Sequence, residues 1–390
     1  MIAKNIILYL LLIVLPDMFI WFRYFRGRKV IVQLLWFLPA LLLLIATFWL
    51  ASKPDFVPDN MTWLNAYLLA AGLIVLPKVF FSLCALPRAI LSFFRKQQTK
   101  PEAGLTMGEK TGLLAIPVLW ILLLWGSFIG PKDLEIKHVE LTFDDLPEAF
   151  EGYRIVQFTD VHLASIDADL LKECVDSINA QDADAVVFTG DLQCKHPDEL
   201  LPHMELLKTI SARDGVFSVM GNHDYPEYVD IVDEEKEMLE LKMHWLQDMM
   251  GWKLLLNSHK YVYRGQDSIV IAGMENDGEG CFPALGNIPV ALGGVGYDDF
   301  IVMLEHDPSS WRRRILPECH AQLTLSGHTH GMQFGIFGWS PLSLFKAHCM
   351  GLYEKGHRYL YVSKGVGGVV PFRIGCKPEI VVLTLMRKKA

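Results

Sequence analysis

The sequence predicts an all-α membrane domain of four transmembrane helices, followed by an α/β domain whose largely parallel sheet is flanked by helices. Three observations predict it. Four apolar stretches occupy the first third of the 390-residue chain. Beyond them, short runs of β-branched and aliphatic residues alternate with segments of helical length. Those short runs end, one after another, in aspartate, asparagine or histidine.

The apolar stretches cover about residues 5–22, 30–52, 64–86 and 112–130. Each is about long enough to cross a hydrocarbon core of ~30 Å. Four successive spans exclude a cleaved signal peptide, which has one short apolar region. Residues 1–132 are therefore read as a transmembrane domain and residues 134–390 as a second domain. Loop charges orient the spans. The first loop carries Arg23, Arg26, Arg28 and Lys29, and the third carries Arg88, Arg95, Lys96, Lys100 and Lys110. The second loop has only Lys53 and the N-terminus only Lys4. Basic loops stay in the cytoplasm. Both chain ends then lie outside an inner or plasma membrane, and the second domain is extracytoplasmic. Asp17 and Lys78 fall inside spans, where a charge marks a functional path by default. Nothing else in the spans suggests transport, so they are read as pairing within the bundle or lying near a span end.

Charge divides the chain. Residues 1–132 hold 13 Lys and Arg against 5 Asp and Glu; the remainder holds 23 against 39. So acidic a second domain excludes general nucleic-acid binding, which depends on neutralising phosphates. The 7 cysteines form no CxxC pair, which excludes a thiolate zinc site or redox pair of that kind. They are read as buried free thiols.

The second domain opens with "LEIKHVELTF" (134–143), alternating as an exposed strand does. Then "RIVQFTD" ends in Asp160 and "AVVFTGD" in Asp191. "VFSVMGNHD" ends in Asn222, His223 and Asp224, "IVMLEHD" in His306 and Asp307, and "LTLSGHTH" in His328 and His330. Helices are expected over 168–181, with Leu170, Leu171, Cys174, Val175 and Ile178 on one face, over 198–212, and over the acidic run 230–250. In open α/β sheets ligands bind beyond the carboxyl ends of the strands. Aspartate is a common turn former, but turns have no need of histidine. Asp160 and His162, like His328 and His330, are two apart and would face one side of an extended chain. Gly190, Gly221 and Gly327 each precede a candidate, where glycine permits a close backbone approach.

Asp160, His162, Asp191, Asn222, His306, His328 and His330 are seven oxygen and nitrogen donors, more than the four that one structural zinc takes. Two divalent metal ions sharing a bridging carboxylate account for them. Two-metal sites about 3.5–4 Å apart clamp the attacking and leaving oxygens of phosphoryl displacement. Such donors suit Mn, Fe or Zn. Each block alone has a plain structural reading: Asn222–Asp224 as a capped turn, His306 as a loop residue, His328 and His330 as packed core histidines. Their concurrence at five strand ends favours the metal site. The remaining eight histidines fit no block and are read as surface or packing residues.

Together, Asp160-x-His162, Gly190-Asp191, Gly221-Asn222-His223-Asp224, His306 and Gly327-His328-x-His330 resemble the five ordered blocks of the calcineurin-like metallophosphoesterases, over about residues 134–390. "LPEAFEGYRIVQFTDVHL" (146–163), "GHTHGMQ" (327–333) and "YLYVSKGVGGVVPFRIGCKPEIVVLTL" (359–385) resemble the family's bacterial membrane-anchored branch. The resemblance implies a metallophosphoesterase β-sandwich of two mixed sheets flanked by helices. It assigns Asp160, His162, Asp191 and His330 to one metal, with Asp191 bridging to a second held by Asn222, His306 and His328. It makes His223 the catalytic histidine and Asp224 the residue that orients it. Where that branch tends to have an Asp pair, this chain reads "AGMENDGEG" (272–280), so Glu275 or Asp277 is expected at the substrate. The implied function is a membrane-anchored, metal-dependent phosphoesterase. It would hydrolyse a phosphodiester or pyrophosphate bond with a metal-activated hydroxide, and a lipid-linked substrate suits a domain tethered to a lipid bilayer. The alternative is a membrane sensor or scaffold whose metal site is structural.

Overall fold

The computed structural model describes residues 5–53, 61–94, 104–335, 338–370 and 372–388. It divides into two compact units, Met1–Ser127 and Phe128–Ala390. Lys4, Arg95, Lys96 and Lys100, four of the charges that orient the spans, lie outside the described residues.

The first unit is helical: α1 (Ile6–Ile20), α2 (Val30–Ala51), α3 (Met61–Phe94) and α4 (Met107–Phe128). Four candidate spans, Ile6–Phe25, Val30–Ala51, Met61–Ser92 and Met107–Lys132, are long and apolar enough to cross a membrane. Helix α3 runs beyond the expected 64–86 at both ends, and α4 begins ahead of the expected 112–130. The reason is polar pairing at their ends. Glu109, in the first turn of α4, is fully buried against Arg88 of α3 at 2.8 Å and the Tyr24 hydroxyl at 2.5 Å. Asp17 and Lys78 pair within the bundle at 2.6 Å, which is the structural reading expected of them. A charge in an apolar medium requires such a partner.

The second unit is a sandwich of two six-stranded mixed sheets. The first has the order β1 (Glu135–Phe143), β12 (Glu379–Arg387), β2 (Tyr153–Phe158), β3 (Ala185–Phe188), β4 (Val216–Ser218), β5 (Lys253–Leu254). The second runs β10 (Gly351–Lys355), β11 (Arg358–Val362), β9 (Leu323–Ser326), β8 (Phe300–Leu304), β7 (Asp267–Gly273), β6 (Ser258–Arg264). One largely parallel sheet is what the βαβ alternation alone suggests. The structure differs because β12 returns antiparallel to β2 and two hairpins, β6–β7 and β10–β11, close the second sheet.

Alternate residues of each strand point to opposite faces. Ile155, Val187 and Phe217 meet Ile271, Val302 and Leu325 between the sheets. Val156, Val186 and Phe188 face outward onto α5 (Ala168–Asn179) and α7 (Asp233–Met249). With both faces covered, these strands read as unbroken apolar runs. Helix α5 buries the five residues expected of it, and Asp167 caps it by accepting the Asp169 and Leu170 amides. The helix expected over 198–212 is instead a 3-10 segment, Pro197–His203, followed by the single turn α6 (Met204–Leu207). Pro202 lacks the amide that an α-helix interior requires. Helix α7 begins later than the acidic run suggests, at Asp233. All 7 cysteines are free, and Cys281 is exposed rather than buried.

Candidate metal centre

Strands β2, β3 and β4 of the first sheet and β8 and β9 of the second end at one edge of the sandwich. There the candidate residues converge from chain positions 160 to 330. Three clusters form: Asp160, His162 and His330; His162, Asp191 and His223; and Asp191, His306 and His328. In each, the ligand atoms lie within 4.8 Å of one another. Asp191 belongs to two clusters and sits at the centre. Its Oδ2 is 3.6 Å from His162 Nε2 and 3.2 Å from His306 Nε2. His330 Nε2 is 3.3 Å from Asp160 Oδ1 and 3.3 Å from His162 Nε2. Asn222 Oδ1 meets His328 Nδ1 at 2.7 Å. All seven donors and His223 are thus in one place.

The donors fit a metal on two counts. His306 Nδ1 donates to the Thr189 carbonyl at 2.7 Å, which turns its Nε2 toward Asp191. Metal-ligating histidines are held in this way. Burial also pulls the imidazoles of His162 to about 3 and His328 to about 4, and His330 well below its ordinary value. Each ring is therefore neutral and offers a lone pair. His306 behaves oppositely. Burial lowers it, but the Asp191 and Asp160 carboxylates outweigh burial and lift it to about 10. A proton there stands where a cation would. Burial, with Asp191 nearby, pushes Asp160 up to about 7.

The backbone departs from expectation. The i, i+2 pairs are not presented by extended chain. Asp160, His162, Asp191, His328 and His330 have φ of 54°, 51°, 61°, 71° and 50°, all left-handed. Each costs about 1–2 kcal/mol outside glycine, and strain of this kind gathers at functional sites. The turn lets the Asp160 carboxylate accept the His328 amide at 3.1 Å across the two sheets. Of the three marker glycines only Gly190 has a left-handed φ, 98°. Gly221 and Gly327 are needed for close approach: a Cβ there would stand 2.3 Å from Asp191 Oδ1 and 2.2 Å from Asp160 Oδ2.

The orienting role expected of Asp224 falls elsewhere. Its carboxylate accepts the backbone amides of Asp191, Leu192, Gln193 and Gly221 at 2.8–3.2 Å. It fastens the loop that bears Asp191. The His223 ring instead places Nδ1 2.6 Å from the Cys194 carbonyl and stacks on Tyr228, centroids 4.2 Å apart. Glu275 and Asp277 are both engaged inside the protein. Glu275 accepts from the Asn257 amide, and Asp277 is held by Ser310 and Arg313.

Three further residues belong to the site's frame and escape sequence reasoning. The Tyr228 hydroxyl accepts from Asn222 Nδ2 at 2.7 Å, which turns Asn222 Oδ1 toward His328. Asp307 Oδ2 lies 3.8 Å from His328 Nε2. The Arg373 guanidinium is buried and donates to the carbonyls of Lys364, Gly365 and Gly367. That loop packs on Asp160, whose carbonyl accepts the Gly367 amide at 2.8 Å. The available signal was an arginine inside the apolar run "VVPFRIGC".

The calcineurin-like phosphoesterase family model matches residues 153–332. A transmembrane protein with metallophosphoesterase domain from Danio rerio is 29% identical over 300 residues, 74% of this chain and 66% of that protein. The uncharacterized metallophosphoesterase YkuE of Bacillus subtilis is 28% identical over 279 residues, 67% of this chain and 88% of that protein. The UDP-2,3-diacylglucosamine pyrophosphatase LpxG of Chlamydia muridarum is 26% identical over 323 residues, 70% of this chain and 95% of that protein. The candidate ligand blocks, the two mixed sheets and these likenesses agree: residues 153–332 carry a calcineurin-like phosphoesterase domain.

Proposed function

We propose that the chain is a membrane-anchored phosphoesterase with a dinuclear metal centre, active on phosphodiester or pyrophosphate bonds. The observation that carries this is Asp191, whose carboxylate lies between His162 and His306, one from each set of candidate ligands. Asp160, His162, Asp191 and His330 would hold one divalent ion; Asp191, Asn222, His306 and His328 would hold the other. When bound, such a pair lowers the pKa of water to near neutrality and neutralises the phosphate oxygens. Mn, Fe and Zn all suit the donors.

The chain's own residues do the rest. Asp191 orders both histidine sets, and its Oδ1 accepts the His223 amide at 2.8 Å. The Cys194 carbonyl accepts from His223 Nδ1 and fixes the imidazole that would pass a proton to the leaving oxygen. Asp224 and Arg373 keep the two ligand loops in place. The loop charges favour an extracytoplasmic domain, and the relative named as a pyrophosphatase supports pyrophosphate among the bonds cleaved.

The test uses the full chain in detergent, stripped by chelator and resupplied with Mn, Fe or Zn. Hydrolysis of bis-p-nitrophenyl phosphate and p-nitrophenyl phosphate is measured beside His328→Ala and His223→Ala. The expected result is cleavage restored by metal and lost in both variants, with two ions per chain retained only in His223→Ala. A folded, metal-loaded protein that cleaves neither ester would favour the sensor or scaffold.

A further inference from the structure

The chain enters the catalytic unit at the end that holds the metal centre. Strand β12 is antiparallel to β2, with Val381 opposite Gln157, and β1 is parallel to β12, with Glu135 opposite Glu379. The start of β1 therefore lies at the end where β2 finishes, beside Asp160. Contacts trace the path. Lys364 Nζ bridges Glu135 and Glu379, each at 2.9 Å. The Glu379 amide donates to Gly365, and the Gly367 amide donates to Asp160. On the other side Lys132 pairs at 2.5 Å with Asp167, the cap of α5 just after the Asp160–His162 turn.

Only residues 129–134 separate α4 from β1. That much chain reaches at most about 20 Å. Helix α4 is long and apolar enough to span a membrane, so a short tether joins a candidate span to the catalytic unit at its metal-bearing end.

At this end, the loop that follows His330 exposes large apolar side chains. Phe345 is 83% exposed, Leu344 70%, Met332 56% and Trp339 48%. The loop is rooted in the site: Ser340 Oγ donates to the Gly331 carbonyl at 2.7 Å, and Thr329 Oγ1 to the Cys349 carbonyl at 2.5 Å. Aromatic residues in such numbers suit the zone where headgroups meet acyl chains. A tether raises the effective concentration of the bilayer to the millimolar range or above, so weak intrinsic affinity suffices.

We propose that Met332, Trp339, Leu344 and Phe345 form a collar that dips into the surface of the bilayer to which the chain is tethered, opening the metal centre onto amphiphilic phosphate esters held there. The substrate half of this rests on the phosphoesterase reading; the collar does not. A second exposed apolar set, Met238, Leu241, Trp245 and Met249 on α7, serves as a control. Helix α7 leads into β5, which is parallel to β4, so it runs back from the metal-bearing end. Its first turn is also wholly acidic.

The experiment reconstitutes the full chain in phosphatidylcholine vesicles doped with an acyl-chain diazirine phosphatidylcholine. After irradiation, labelled peptides are mapped by mass spectrometry. Labelling within 338–352 as well as in the spans is expected. Labelled spans with an unlabelled 338–352 segment would overturn the collar. In the same vesicles, Leu344→Ser with Phe345→Ser should slow cleavage of embedded p-nitrophenyl hexadecyl phosphate about tenfold or more, through lost apolar burial, and leave bis-p-nitrophenyl phosphate cleavage unchanged. Trp245→Ser should change neither. Equal loss on both esters, no loss on either, or a larger effect from Trp245→Ser counts against the proposal. If the wild-type chain cleaves neither ester, the phosphoesterase reading fails and the lipid label alone decides the collar.

Discussion

Buried charge is handled in two ways in this chain. Among the described residues of the helical unit each buried acid is matched: Asp17 by Lys78, and Glu109 by Arg88, the Tyr24 hydroxyl and the Thr106 amide. In the catalytic unit Asp160, Asp191, Asp224 and Asp307 crowd one edge of the sandwich with His162, His306, His328 and His330. Matched charge is what a fold needs in order to tolerate burial. Acids and histidines crowded together on strained backbone are what a fold keeps for a cation.

The comparison breaks first at Asp191. Asp191→Asn should cut ester hydrolysis by about a thousandfold or more, since it removes the shared ligand. Bound metal should fall below two ions per chain, while the chelated variant melts no lower than the chelated wild type. A melting loss of similar size in chelator would mean that Asp191 serves the fold, as Asp17 does.

Removing metal sharpens the contrast. Chelation should destabilise the catalytic unit by about 4 kcal/mol relative to metal at a thousand times its dissociation constant. Calorimetry should show the helical unit unmoved. In that unit, Lys78→Met leaves Asp17 buried alone and should cost about 3–5 kcal/mol. Pairing it with Asp17→Asn should recover most of that loss, and neither variant should alter turnover of a soluble ester. The smallest effect is expected at Asp224→Asn. It retains most of the fold but weakens the grip on the Asp191 loop, lowering metal affinity about 10–100-fold, the usual range for groups that hold a ligand.

Local chemistry made much of this legible. Spans are visible because an apolar run of that length has few other uses. The buried face of α5 follows from its periodicity, and its aspartate cap from the sequence just before it. The cluster of candidate donors was legible because histidines at strand ends have no turn-forming reason to be there. No single helix forms over 198–212 because Pro202 lacks the amide that an α-helix interior requires. That the Asp224 carboxylate fastens the Asp191 loop was not legible, because adjacency in sequence says nothing of where a carboxylate points.

By itself the sequence determined the two-part plan, the four apolar helices, the strands that end in donors and the identity of those donors. Each depends on residue type and on spacing within a few positions. Tertiary structure alone decided that the strands form two sheets and that the ligands sit on left-handed backbone. It also decided that Asp191 lies between the two histidine sets, and that Cys194, Tyr228 and Arg373 hold the frame. Those outcomes rest on contacts such as His306 with Thr189, 117 positions apart, and no periodicity within a strand or helix encodes which distant carbonyl will meet a given ring.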